Sequence, residues 1–380
     1  MVARTTMVRK PLPPIWYVCP RFKHLSWTAI GEKHVRELTK YMRIEWIEEV
    51  TLPTIMLISR PLVIMHPYFY PFQKFEWSLK RKVSQMDALI GIDVADSDRI
   101  SDYAVKLTEY ATALIVPSNF AKQSYLRSGV KIPIHVLPHG VDPEWVHAQK
   151  RNPQRFTHLA ELKRKRKLKL IHAWVLHSAW RKGLDILLRF YARLLEEYNN
   201  VLLVLKSAWG VGYFLETIER IPKPADVGDT DQTFYQMAHR LEGRVDKGWL
   251  TEEEKMELFD LVDLYVLTAR GGGFEHPPLE CLARGTPVIG PKGGSWEDYL
   301  PEWALVPSHI DGQPLPGNPI HVGNGVEMDI EKAVDKAVDI LENEDDYKAR
   351  VREHVEQVIL KQFIWSKIGE ELRDIIYTYV

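Results

Sequence analysis

Three short stretches of this 380-residue chain carry side chains whose types and spacing could do chemistry. The first, Ala269 to Leu300, places Gly271, Gly272 and Gly273, then Glu275 and Glu280, within a dozen residues. Glycine has no Cβ, so the run permits a tight turn and lets a phosphate come close to the backbone. Pro277 and Pro278 suit the first turn of a helix and Gly285 suits its end. The N-terminus of such a helix offers unpaired N–H groups and a partial positive charge to an anion, and Glu280, expected in that first turn, can accept hydrogen bonds from sugar hydroxyls. A nucleoside diphosphate with its ribose fits both. The plain reading stands beside it: an ordinary turn, with Glu275 and Glu280 complementing the helix dipole. The second stretch, HSAWRKG, supplies Arg181 and Lys182. Arginine grips a diphosphate bidentately and lysine acts as a point charge, so the pair can neutralise a diphosphate leaving group. The third, DALIGIDVADSDRIS, holds Asp93, Asp96 and Asp98. Asp96 and Asp98 form a D-x-D pair that could hold a divalent cation, although helix capping or sugar contact uses the same residues.

The elements that must position these groups read as alternating strands and helices. LYVLT, Leu264 to Thr268, is an apolar run suited to a buried parallel strand, and TPVIG after Gly285 is the next one, giving strand, glycine loop, short helix, strand. In the first half, IWYVC is a strand, the loop Pro20 to Gly31 follows, and a helix is expected after Gly31 with Val35, Leu38 and Met42 on one face. IEWIEEV, PLVIMH, DALIGI, TALIVP and IHVLPHGVD add strands, with Ser118 capping a helix that stops at Gly129. KRKRKLK, Lys163 to Lys169, marks a solvated boundary. The pattern then restarts with LIHAWVL, an amphipathic helix from Leu184 and NVLLVLK, and Thr251 with Glu254 forms a capping box ahead of LYVLT. Residues 301–324, rich in proline and glycine, read as loop; Asp329 caps a further helix, and Phe363 to Val380 forms a last amphipathic one.

Composition narrows the function. With 50 basic against 51 acidic residues the chain is no general nucleic-acid binder, whose affinity rests on neutralising phosphates. Two distant cysteines, Cys19 and Cys281, give neither a disulfide framework nor a zinc spacing and point to a reducing compartment, the cytoplasm. No run approaches a membrane span. The aromatic run PYFYPFQKFEW with the basic SLKRKVSQM leaves a peripheral membrane contact as a second expectation, against the plainer reading of a solvated face.

At this point the chain resembles the retaining glycosyltransferases of the GT-B fold, family four. The matching stretches come in order: Gly31 with its helix, VPSNFAKQSYLRSGV, IHVLPHGVD, WRKGLDILL, WLTEEEKMELFDLVDLYVLTARGGGFEHPPLECLARGTPVIG and FIWSKIGEEL. The resemblance implies an α/β chain of two Rossmann-like domains facing across a cleft: residues 1–160 for the acceptor and 161–363 for a nucleotide-sugar, with a helix at about 364–380 crossing back. It implies Lys182 on the diphosphate, Glu280 on the ribose, the loop with Phe274 and His276 along the transferred sugar, and Gly31 and Trp249 among the donor-binding residues. The implied reaction moves a hexose from a UDP- or GDP-linked donor to a hydroxyl of a glycan, a lipid or a small molecule, with retention, no metal and no cofactor beyond the donor. Two departures stand out. The family's first glutamate falls at Gly272, so Glu275, Asp93 or Asp96 must stand in, and its arginine before the lysine falls at His177, so Arg181 must supply that charge. Three rivals remain: a metal-dependent GT-A-like transferase using Asp96 and Asp98, an epimerase or phosphorylase of the same architecture, and a non-catalytic nucleotide-sugar-binding or scaffold protein.

Overall fold

The computed structural model describes residues 13–21, 25–57, 59–175, 180–207, 238–242 and 250–380. Short apolar runs without alternation form parallel strands buried on both faces. Six strands, β1 (Ile15–Val18), β2 (Ile44–Ile47), β3 (Leu62–Met65), β4 (Ala88–Ile92), β5 (Ala113–Val116) and β6 (Ile134–Val136), make one sheet in the order β2-β1-β3-β4-β5-β6, whose edge strands β2 and β6 are only half-buried. A second sheet, β12-β11-β10-β7-β8-β9, comprises β7 (Lys169–Trp174), β8 (Val201–Ser207), β9 (Ala238–Glu242), β10 (Leu264–Val266), β11 (Val288–Pro291) and β12 (Leu305–Val306). Every pairing in both sheets is parallel. The strand order reverses between β1 and β3 in the first sheet and between β7 and β10 in the second. Ligands bind at such switch points, beyond the carboxyl ends of the strands.

Helices in the first half are α1 (Ser26–Leu38), α2 (Phe69–Val83), α3 (Asp102–Thr108) and α4 (Asn119–Arg127), followed by α5 (Pro143–His147) and α6 (Thr157–Arg166). The second half has α7 (Leu184–Glu197), α8 (Glu252–Leu261), α9 (His276–Ala283), α10 (Ile330–Glu342), α11 (Glu344–His354) and α12 (Trp365–Tyr377). The expected caps form: Ser118 accepts from Ala121 N, Asp329 from Lys332 N, and Thr251 with Glu254 closes a capping box. On α2, Phe72 and Leu79 are buried while Trp77 is exposed beneath the Arg81 guanidinium.

Two sequence expectations need correction. Helix α1 begins at Ser26, not after Gly31, which lies inside it where a Cβ would come within 2.8 Å of Cys19 Sγ. Gly31 is therefore the contact point between helix and strand, and its helix-breaking tendency is overridden by that packing. Residues 301–324 are not only loop: they contain β12 and then β13 (Ser308–Asp311), which pairs antiparallel with β14 (Gly325–Met328). Val141, Trp145, Phe156 and Leu159 pack in the core of the second sheet. Helix α12 runs the other way and buries Trp365, Ile368, Leu372 and Ile376 against the first.

Between β13 and β14 the chain makes a long excursion, residues 312–324, that reaches the first domain. Ile320 is buried in that domain's core, and Ile100 bridges His321. Ser101 N donates to Ile320 O at 2.8 Å, and Val322 N and Gly323 N both donate to Arg99 O. The two domains are also joined where Asn119 N donates to Asp298 Oδ2 at 2.7 Å.

Candidate active site

The second switch point brings together the loops after β7 and β10. Arg181 and Lys182 come from the first loop, and Gly271 to Glu275 from the second. Lys182 Nζ donates to both oxygens of Glu275, at 2.5 Å to Oε2. Arg181 Nη1 lies 3.7 Å from Glu275 Oε1 and donates to the Gly271 carbonyl at 3.2 Å and, across the cleft, to Asp96 Oδ1 at 3.3 Å. Arg181 Nε is buried and has no hydrogen-bond partner among the described residues. Such a donor is costly to leave unmade and points to an acceptor supplied by a ligand.

Glu275 is one of the few non-glycine residues with positive φ, at φ 62° and ψ 86°. A left-handed backbone at a residue with a Cβ costs about 1–3 kcal/mol and persists only when its surroundings enforce it. Here the Tyr299 hydroxyl donates to the Glu275 carbonyl at 2.5 Å, while the carboxylate is tied to Lys182. The glycine run serves this arrangement in a way the sequence did not disclose. A Cβ at Gly272 would lie 1.9 Å from Glu275 Oε1, one at Gly271 2.0 Å from Asp96 O, and one at Gly273 2.5 Å from Val94 Cβ. The space is thus filled by the chain's own groups. The Glu275 carboxylate occupies the place where a side chain at position 272 would start.

Burial pushes the Lys182 ammonium below its ordinary range and Arg181 adds to this, against the pull of Glu275. Burial alone would raise the Asp96 carboxyl, but Arg181, His321 and Lys182 outweigh it and hold Asp96 below the usual carboxylate range. Asp96 is therefore ionised. Asp93 is employed differently: its carboxylate accepts from Phe69 N and Val94 N, each at 2.8 Å, and burial pushes it up to about 7. Only 4% exposed, it ties the start of α2 to the loop after β4. Asp98 turns away too, with Oδ1 accepting from Asn324 N at 2.7 Å, so Asp96 and Asp98 do not converge.

Helix α9 starts at His276, which places Glu280 in its second turn rather than the first. Glu280 therefore does more than complement the helix terminus. Lys255 Nζ on α8 donates to it at 2.6 Å and His276 Nδ1 lies 3.7 Å away. Burial would raise its carboxyl, yet Lys255 and His276 hold it at about 2. Phe274 is buried against His139, Tyr299 and Phe363. Trp249 and His177 lie outside the described residues.

Opposite this site, the first switch point carries residues not singled out from sequence. The Tyr17 hydroxyl lies 2.8 Å from His34 Nδ1 and 2.9 Å from His66 Nδ1. One hydroxyl proton serves one ring, so the other ring must donate from its own Nδ1, and the two histidines are opposite tautomers. Burial pushes the His34 imidazole down to about 3 and His66 and His139 well below their usual range, so all three are neutral. His34, His139 and His276 surround the Trp365 ring from both domains. The signal available in sequence was weak but real: PLVIMH and HVLPH each end an apolar run in histidine. A groove of 690 Å³ near Pro14, Met42 and Arg43 lies at the amino ends of β1 and β2, away from this chemistry. Among the described residues no group of three or more metal-capable side chains converges, and no helix is long and apolar enough to cross a membrane.

Two Rossmann-like domains with their switch points turned toward each other define the GT-B fold of glycosyltransferases, and this chain has it. The particular likenesses follow. It superposes with a TM-score of 0.68 at 12% identity, over 95% of this chain and 98% of the other, on the structure described as "Trehalose-6-phosphate from E. coli bound with UDP-2-fluoro glucose". With sucrose-phosphate synthase from Thermosynechococcus elongatus the TM-score is 0.65 at 14% identity, over 96% and 98%. In sequence it is 28% identical, over 96% of this chain and 98% of the other, to "Uncharacterized protein 356" of Sulfolobus islandicus rod-shaped virus 1. It is 27% identical to "Putative glycosyltransferase 45" of a Sulfolobus islandicus filamentous virus, over 67% of this chain and 64% of that protein. No family model matches the chain.

Proposed function

We propose that this protein is a retaining glycosyltransferase that moves a hexose from a UDP- or GDP-linked donor to an acceptor hydroxyl. The observation that carries the reading is the cation pair at the second switch point: Lys182 shares Glu275 with Arg181, whose buried Nε has no acceptor among the described residues. A diphosphate supplies that acceptor and two negative charges for the pair. The sugar–phosphate C–O bond breaks as the acceptor oxygen approaches from the same face, and the hydroxyl proton leaves on the departing diphosphate. No protein nucleophile is needed. Catalysis then rests on preorganised charge, Lys182 and Arg181 on the diphosphate and Glu275 toward the sugar, which develops positive charge as the bond opens. Glu280, held ionised by Lys255, accepts from ribose hydroxyls. The UDP-sugar analogue named with the E. coli structure and the glucose-6-phosphate named with a Burkholderia xenovorans trehalose-phosphate synthase support a nucleotide-sugar donor and a sugar-like acceptor.

The test is a thermal-shift and calorimetric panel of UDP, GDP and their hexose conjugates, with donor hydrolysis followed by chromatography in chelator. The true donor at about 100 times its Kd stabilises by about 2.7 kcal/mol. Hydrolysis that persists in chelator fits the proposal. Activity that disappears with chelator and returns with manganese overturns its metal-independent form, and the absence of any nucleotide binding overturns it altogether.

A further inference from the structure

The excursion 312–324 is a strap of the second domain, and its contacts lead to the site. Pro314, Pro316 and Pro319 stiffen it. Asn318 Oδ1 accepts from Ile320 N and His321 N at 2.8 and 2.9 Å and folds its tip. Its base is fixed where the Trp180 indole donates to Gln313 O at 3.0 Å and where Pro314 lies 3.1 Å from a Cβ at Gly271. The returning limb holds the loop after β4 at consecutive residues. His321 Nδ1 accepts from Asp96 N at 3.3 Å, Ser97 Oγ from Gly323 N at 3.1 Å and Asp98 Oδ1 from Asn324 N at 2.7 Å, while Asp98 N donates to Asn324 O at 3.0 Å. Gly323 has to be glycine, because a Cβ there would stand 2.1 Å from Asp98 Oδ1 and 2.4 Å from Arg99 N.

One residue links this strap to the proposed diphosphate site. Asp96, gripped at its amide by His321, directs its carboxylate to Arg181 Nη1. That contact and the Gly271 carbonyl both engage Nη1, while the buried Nε has no hydrogen-bond partner among the described residues. We propose that Ser97 and Asp98 of the first domain and His321 of the strap are positioning residues: through Asp96 they set the orientation of Arg181, so that nucleoside-diphosphate affinity in the second domain depends on residues that touch no ligand. This rests on the donor reading above. It also gives the D-x-D pair a use, with Asp96 orienting a cation and Asp98 anchoring the strap. A free arginine side chain loses rotamer entropy when it binds, and prior fixation removes that cost from donor binding.

The test compares Asp98→Ala, which removes the acceptor for Asn324 N, with Asp98→Asn, which keeps an oxygen there. UDP and GDP titrations are paired with hydrogen exchange of the ligand-free protein. Asp98→Ala should weaken nucleoside-diphosphate binding about fivefold or more, raise the donor KM more than it lowers kcat, and leave the Arg181→Ala background almost unchanged. Asp98→Asn should restore affinity. In the ligand-free protein, Asp98→Ala should speed exchange at residues 93–101 and also at 180–183. Gly323→Ala, which crowds the same contact, should reproduce both effects. Unchanged exchange at 180–183, or an affinity loss of equal size in the Arg181→Ala background, overturns the proposal. A wild type that binds neither UDP nor GDP sinks the donor reading by itself, and the exchange result still decides whether the strap controls Arg181.

Discussion

Replacing Glu275 by glutamine keeps the shape of the side chain and removes one negative charge from between two cations. Lys182 Nζ stands 2.5 Å from one carboxylate oxygen and Arg181 Nη1 3.7 Å from the other. At an effective dielectric near 20, unit charges about 4 Å apart interact by about 4 kcal/mol. Much of that is offset by the desolvation of buried groups, and the net loss from deleting such a charge-assisted hydrogen bond is about 1.5–3 kcal/mol. If the carboxylate stabilises the sugar as it becomes cationic, the loss falls on the transition state, and turnover should drop about 10- to 100-fold. Nucleoside diphosphate should respond in the opposite direction. Lys182 and Arg181, released from Glu275, become freer to bind the anion, so UDP or GDP should bind Glu275→Gln at least as tightly as wild type. Steady-state donor hydrolysis and calorimetric titration measure the two quantities separately. Normal turnover with nucleoside-diphosphate binding weakened more than about threefold would assign Glu275 to the nucleotide and refute the reasoning.

Gly272→Ala brings a methyl to within 1.9 Å of Glu275 Oε1 and should displace that carboxylate from Lys182, giving a turnover defect like that of Glu275→Gln in a folded protein; wild-type activity would show that the pair is not needed. Lys182→Ala should lower kcat by about 10²-fold or more with an unchanged circular dichroism spectrum, because a charge opposing the leaving diphosphate acts chiefly in the transition state. A loss below about threefold would remove Lys182 from the chemistry. Glu280 is depressed from its ordinary value to about 2 in the folded protein. A carboxyl so depressed contributes stability above its unfolded pKa and loses it as pH falls through the folded value. The shift is worth about 3 kcal/mol at neutral pH. The stability gap between wild type and Glu280→Gln, followed by denaturant titration, should therefore close between about pH 4.5 and 2, and a gap independent of pH would contradict the Lys255 pairing.

How much of this was legible in the chain depends on how local the cause is. The strand, glycine loop, helix and strand around Glu275 rest on neighbours within about twenty residues, as do the caps at Ser118, Thr251 and Asp329, and pattern and capping chemistry suffice for them. The convergence of Arg181, Lys182 and Glu275 follows from the rule that open sheets bind at their carboxyl edges. The start of α1 was misplaced because Leu25 provides no side-chain cap and Gly31 looks like a helix boundary, whereas its place is set by Cys19 on the neighbouring strand. Residues 312–324 were invisible as a strap because their partners, Asp96 to Ser101, lie more than two hundred residues away. Nothing in a run of prolines and glycines says what it will touch. The Tyr17, His34 and His66 cluster spans only 17 and 49 residues, but it joins β1, α1 and the end of β3, a contact that depends on strand order and not on local pattern.

The return of α12 to the first sheet has a consequence for how the chain is made. Strands β1 to β6 are complete at Val136, but Trp365, Ile368, Leu372 and Ile376, which cover part of their core, follow about 230 residues later. At a synthesis rate of about 5–20 residues per second, the interval is on the order of 10–50 s. Throughout it the nascent first domain exposes an apolar strip that four side chains, each worth about 1.5–3 kcal/mol on burial, will later seal. On the ribosome, then, the domain formed first is the one finished last. Its solubility in that interval depends on what else can occupy the strip.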